Sequence, residues 1–170
     1  MKFVAVMGVA GCGKSSVGQA LALGLDLPLI EGDEYHPSGN LDKMRCGLPL
    51  TDADRAQWLT ALADALTKHP AGAILTCSAL KRAYRDRLRV GAPGLRFVFL
   101  DIDPQTAHLR VTARVGQHLF PPSLVDSQFA TLESPIGEPG VLRVDATLPL
   151  AGLSESVIQW LGGTPEKAST

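Results

Sequence analysis

The sequence predicts an α/β fold, with a five-stranded parallel sheet covered by helices on both faces. Three observations lead to it. Short apolar runs recur along the 170 residues, separated by stretches of helical spacing. The first run ends in a glycine-rich loop that opens a helix. No internal repeat, low-complexity tract or linker divides the chain, so a single domain over residues 1–162 accounts for it.

Phe3 to Met7 is a continuous apolar run, the mark of a buried parallel strand. Val17, Ala20, Leu21 and Leu25 then form a helical stripe. Pro28 to Ile30 is a short second strand ending at Glu31-Gly32-Asp33, and His36 to Cys46 reads as a polar helix and loop. Thr51 with Asp54 resembles a capping box, followed by Trp58, Leu59, Leu62 and Leu66 at helical spacing. Ala73 to Cys77 is a third strand and Leu80 to Val90 a basic helix. Leu95 to Ile102 is a fourth strand, and Pro104 opens a helix through about Arg114. After a loop at 116–122 come a helix through Leu132, a fifth strand from Val141 to Asp145, and a last helix from Leu150 to Leu161. The polar tail, 163–170, is expected to be disordered.

Net charge is -1, so no global positive field exists to hold nucleic acid or an anionic membrane. Anions must be bound locally. The three cysteines, Cys12, Cys46 and Cys77, are widely spaced with no CxxC pair, which argues against a disulfide framework or a structural zinc site. A reducing compartment, the cytoplasm, is the expected location. Residues 1–7 lack the three-part pattern of a signal peptide, and no run reaches the roughly 18 apolar residues of a membrane span.

The segment Gly8-Val9-Ala10-Gly11-Cys12-Gly13-Lys14-Ser15 is a full GxxxxGK[ST] phosphate loop, with a strand before it and a helix after it. Its glycines let backbone N–H groups converge on phosphate oxygens, and the helix N-terminus adds its positive end. Lys14 reaches the β- and γ-phosphates, Ser15 ligates Mg²⁺, and Ser16 completes the nucleotide site. ATP and Mg²⁺ are therefore the expected cofactors. Cys12 is either a passive loop residue or a thiol whose oxidation blocks ATP.

A phosphate loop alone does not separate a kinase from a switch or a motor. No DxxG follows any aspartate, and Asn40-Leu41-Asp42-Lys43 has the wrong order for a guanine motif. The third strand ends in Thr76-Cys77-Ser78-Ala79 rather than the acidic pair of a motor. These features favour a compact small-molecule kinase. A non-catalytic nucleotide-binding regulatory module is the alternative of another class, separable by ATP turnover with a polyol acid.

Asp33 lies just past the second strand, where an open parallel sheet faces its ligand crevice. It can accept a substrate hydroxyl's hydrogen bond and orient or deprotonate it, or it can simply cap a turn. His36 is a candidate substrate contact or an ordinary structural histidine. Ser78, Lys81 and Arg85 start the basic segment at the same end of the sheet. Lys81 and Arg85 share a helix face and suit an anionic acceptor, the other reading being a solvated basic surface. Arg110 and Arg114 precede a glycine- and proline-containing loop, a candidate mobile lid over about 114–124. Arg114 can neutralise charge developing in transfer, and Arg110 can stack on adenine; both can also be plain surface arginines.

Four stretches together resemble the gluconate kinase (gluconokinase) family: MGVAGCGKS, EGDEYHPSGNLDKMRCGLPLTDADRAQWL, CSALKRAYRDRLR and SQFATLESP, spanning most of Met7 to Pro135. The resemblance implies a three-layer P-loop NTPase fold with a mobile lid, similar to nucleoside monophosphate kinases and shikimate kinase. It implies ATP-dependent phosphorylation of D-gluconate at its 6-hydroxyl, and a cytosolic homodimer. By matching positions, Asp33 would contact the acceptor hydroxyls, Ser78 to Arg85 would help hold the sugar acid, and Arg114 would be the lid arginine. The lid departs from the family's Arg-x-Gly-His, reading Arg114-Val115-Gly116-Gln117-His118, one residue longer. Shikimate kinase is the nearest competing enzyme, but it should have a glycine-rich turn where this chain has Ser78-Ala79-Leu80-Lys81.

Overall fold

A computed structural model describes residues 2–114 and 121–163. The strands are β1 (Lys2–Met7), β2 (Leu29–Glu31), β3 (Gly72–Thr76), β4 (Arg96–Asp101) and β5 (Val141–Asp145). They form one sheet in the order β2-β3-β1-β4-β5, with every pairing parallel. The helices are α1 (Lys14–Leu25), α2 (Ser38–Arg45), α3 (Asp52–Thr67), α4 (Arg82–Gly91), α5 (Pro104–Ala113), α6 (Val125–Thr131) and α7 (Leu150–Gly162).

Successive side chains of a strand point to opposite faces, and β1 shows how this builds three layers. Val4 and Val6 pack on one face with Val17 and Leu21 of α1 and Leu153 and Val157 of α7. Phe3, Ala5 and Met7 pack on the other with Trp58 and Leu62 of α3 and Leu88 of α4. Both faces of the central strand are thus dry, which is why its sequence is continuously apolar rather than alternating.

Parallel strands deliver all their C-terminal ends to one side. Ser78 follows β3 there, and its carbonyl accepts a hydrogen bond from the Gly8 N–H at 3.3 Å. The loops after β1, β2 and β3 therefore meet where the strand order departs from chain order, the place an open α/β sheet binds its ligand.

One local expectation holds and another shifts. The Thr51–Asp54 capping box forms in full and starts α3. By contrast α4 starts at Arg82, not Leu80, because Ala79 takes a left-handed backbone with φ 45° and turns the chain. The lid loop expected around Gly116 and His118, and the tail beyond Gly163, lie outside the described residues.

Candidate active site

The phosphate loop wraps onto the first turn of α1. Gly13 is its N-cap with φ 96°, a backbone state that an L side chain resists. Lys14 Nζ donates to the carbonyls of Gly8 at 3.0 Å and Val9 at 3.1 Å, so its charge sits across the mouth of the loop. Arg110 braces the other side. Its Nη1 donates to the Gly11 carbonyl at 3.3 Å and its Nη2 to the Ala146 carbonyl at 3.0 Å. Gln128, which is buried on α6, accepts the Ala10 N–H at 2.7 Å. Val9, Ala10 and Cys12 are buried beneath the loop in the apolar core.

Ser15 Oγ donates to Glu31 Oε2 at 3.1 Å, and Thr76 Oγ1 donates to the same oxygen at 2.6 Å. A hydroxyl and a carboxylate oxygen beside the phosphate loop are the hard donors Mg²⁺ prefers, so these residues fit that ion. Glu31 was legible only as the acid ending the second strand; its pairing with Ser15 crosses sixteen positions of sequence.

One cleft of about 130 Å³ joins the phosphate loop to the acceptor side. Gly11, Lys14, Ser15 and Ser16 line it, and so do Asp33, His36, Ser78 and Arg114. The structure thus brings together most of the residues singled out by sequence. Asp33 reaches this wall because Gly32 lets the backbone press against β3. A Cβ at Gly32 would sit 2.1 Å from the Thr76 carbonyl.

Lys81 and Arg85 are not among the residues lining that cleft. Lys81 pairs with Asp52 at 2.9 Å, which raises its pKa. Arg85 is fully buried. Its Nε donates to Glu138 Oε2 at 3.1 Å, its Nη1 to the Ala79 carbonyl at 2.8 Å, and its Nη2 to the Glu133 carbonyl at 3.1 Å. Helical spacing gave Arg85 a face but could not say that Glu138 packs on it. In this structure it clamps the left-handed turn that carries Ser78, and it leaves the set of direct substrate contacts.

Among the cleft residues that sequence reading passed over as site residues are Arg55 and Trp58. Arg55 is 9% exposed; its Nη1 donates to the Leu50 carbonyl at 2.8 Å and to Tyr84 Oη at 3.4 Å. Trp58 donates from Nε1 to the Gly32 carbonyl at 2.8 Å and stacks on His36. Both come from α3, where helical spacing marks Trp58 as core and the charge of Arg55 as surface.

Burial pushes the His36 pKa down to about 4, against the opposing pull of Asp33. Burial also pushes the Cys77 thiol up to about 12, so it is inert at neutral pH.

The chain is similar to known proteins along most of its length. The shikimate kinase family model matches residues 10–124. The thermosensitive gluconokinase of Escherichia coli is 41% identical over 91% of this chain and 84% of that protein. The gluconokinase of Gluconobacter oxydans is 48% identical over 84% and 82%. The crystal structure of a gluconokinase from Sinorhizobium meliloti superposes with a TM-score of 0.87 at 45% identity, covering 95% of this chain and 91% of that one. With a nucleotide-binding loop, an acceptor cleft beside it and relatives of this identity, the chain belongs to the gluconokinase family of shikimate-kinase-like P-loop kinases.

Proposed function

We propose that this protein transfers the γ-phosphoryl group of ATP to the 6-hydroxyl of D-gluconate, giving 6-phospho-D-gluconate and ADP. The observation that carries this reading is the cleft itself. It places a phosphate loop, the carboxylate of Asp33 and the guanidinium of Arg55 on shared walls. A polyol carboxylate needs a cation for its acid end and polar side chains for its hydroxyls, and the acceptor side supplies both. The 41–48% identity to gluconokinases names the acid.

In this reading Arg55 takes over the role expected of Lys81 and Arg85. Its Nε and Nη2 make no hydrogen bond among the described residues, so a planar edge is left for the substrate carboxylate. Asp33 accepts the hydrogen bond of the attacking hydroxyl, aligning it and taking its proton as the O–P bond forms. Ser78 and His36 contact further hydroxyls. Ser15, with Glu31 behind it, would hold Mg²⁺, which draws charge from the β- and γ-phosphates. The backbone N–H groups of Gly11 and of Gly13 to Ser16, with the Lys14 ammonium, hold the phosphates, and Arg110 stacks near the base. Arg114 stabilises charge on the transferring group. Catalysis here is mostly positioning and electrostatics, as expected for phosphoryl transfer. By the same family relationship the working form is a cytoplasmic homodimer.

Replacing Asp33 with alanine is expected to abolish gluconate turnover while ATP binding, read by nucleotide fluorescence, stays within about twofold. Turnover equal to wild type would remove Asp33 from the mechanism.

A further inference from the structure

His36 forms part of the acceptor wall, and its neighbours determine which of its nitrogens carries a proton. Its ring lies flat on Trp58, with centroids 4.2 Å apart and 13° between planes. Its Nδ1 is 3.3 Å from Nδ2 of Asn40. That same Asn40 nitrogen is 2.9 Å from the backbone carbonyl of Asp54. A carbonyl can only accept, so the Asn40 atom facing Asp54 is the amide nitrogen and not the oxygen. An amide nitrogen can only donate, so Nδ1 of His36 is the accepting, proton-free nitrogen. Asn40 is 5% exposed, and both of its hydrogen bonds are internal to the fold.

The ring is also neutral. Burial lowers its pKa to about 4; Asp33 pulls upward and Arg55 downward. The Lys43–Asp54 ion pair, 2.8 Å long, lies behind Asn40. A neutral imidazole with a bare Nδ1 carries its single proton on Nε2. Nε2 is on the edge of the ring away from Asn40 and makes no hydrogen bond among the described residues. No buried side-chain nitrogen or oxygen lacks a partner there, so Nε2 is open to whatever enters the cleft.

We propose that Asn40 is a positioning residue that locks His36 as an Nε2–H donor, and that this donor reads one hydroxyl oxygen of the polyol acceptor. The proposal rests on the acceptor reading above and sharpens it. His36 takes no proton during transfer, which leaves Asp33 as the one acid–base group the mechanism assigns. A site built to donate to an oxygen also rejects an analogue lacking that oxygen, because the donor would be left unpaired in a half-buried wall.

Histidine-selective ¹⁵N NMR on the intact protein tests the first half. The expected wild-type spectrum shows His36 protonated on Nε2 and neutral from pH 8 down to about pH 5. Asn40→Asp presents an acceptor to Nδ1, so the proton should move there and Nε2 should become bare. That variant is expected to raise KM for gluconate about tenfold or more, with KM for ATP within about twofold. His36→Gln keeps an amide donor and should retain most activity, whereas His36→Leu should not; this pair decides the matter even if Asn40→Asp fails to fold. A wild-type proton on Nδ1, a shifted tautomer with unchanged gluconate KM, or equal losses in His36→Gln and His36→Leu would each overturn the proposal. Absence of gluconate turnover in the wild-type protein would instead overturn the acceptor reading, and it is read in a separate assay from the spectrum.

Discussion

Arg55 donates to two neutral oxygens, the Leu50 carbonyl and the Tyr84 hydroxyl, and makes no ion pair among the described residues. The nearby carboxylate of Asp52 is engaged elsewhere. It accepts from Tyr84 Oη and from Lys81 Nζ, and these hydrogen bonds lower its pKa. Asp52 therefore neutralises Lys81 and orients Tyr84, while Arg55 keeps a positive charge on the cleft wall. Truncating one partner of a buried charge pair costs at least ~2 kcal/mol, about 30-fold. Arg55→Met should thus raise KM for gluconate by about 30-fold or more and leave KM for ATP within about twofold. Arg55→Lys should recover only part of the loss, since a point charge cannot match a carboxylate's two oxygens. Wild-type steady-state kinetics in Arg55→Met would remove Arg55 from substrate binding. Single residues were the least legible part of the site. Asp33 announced itself by ending a strand beside glycine. Arg55 sits among the polar residues of a helix start and gives no local sign that it is largely buried.

At the scale of elements, α4 and the segment after α6 act as one unit. Glu133 accepts the Arg82 N–H at 2.9 Å, and its own N–H donates to the Leu80 carbonyl at 2.8 Å. Glu138 receives Arg85 and Arg89, and although its burial works in the opposite direction, these two cations keep its pKa below the usual carboxylate value. The SQFATLESP stretch resembled the family in sequence alone; Gln128 and Glu133 show what it does, tying the phosphate loop and the Ser78 turn to α6 and the segment after it. Arg85→Met would leave Glu138 buried with Arg89 alone, a loss of about 3 kcal/mol. Thermal unfolding should fall by roughly 10 °C. Adding Glu138→Leu should recover most of that loss, because no unpaired charge then remains. An unchanged melting temperature in Arg85→Met would contradict the structural role. Strands and most helices were legible because their periodicity is local. The start of α4 was not: the left-handed turn at Ala79 lies beside Glu133, some fifty residues along the chain, which bonds Leu80 and Arg85.

For the whole molecule, one parallel sheet supplies the logic. Net charge is -1, yet the cleft carries Lys14, Arg55 and Arg114. Three cations thus share one cleft where the strand ends meet. Among the described residues no helix is long and apolar enough to cross a membrane. The phosphate loop was legible as eight contiguous residues, and the alternation of strands and helices fixed which end of the sheet carries it. The acceptor wall is assembled from the segment after β2, α3 and the loop after β3, so only folding brings it together. In the proposed function this cleft passes phosphate from ATP to a sugar acid. A coupled ADP-release assay with gluconate, shikimate and AMP side by side tests it most directly. ADP release with gluconate, matched one to one by 6-phosphogluconate and absent with the other two acceptors, is the predicted result; turnover of shikimate or AMP without turnover of gluconate would contradict it.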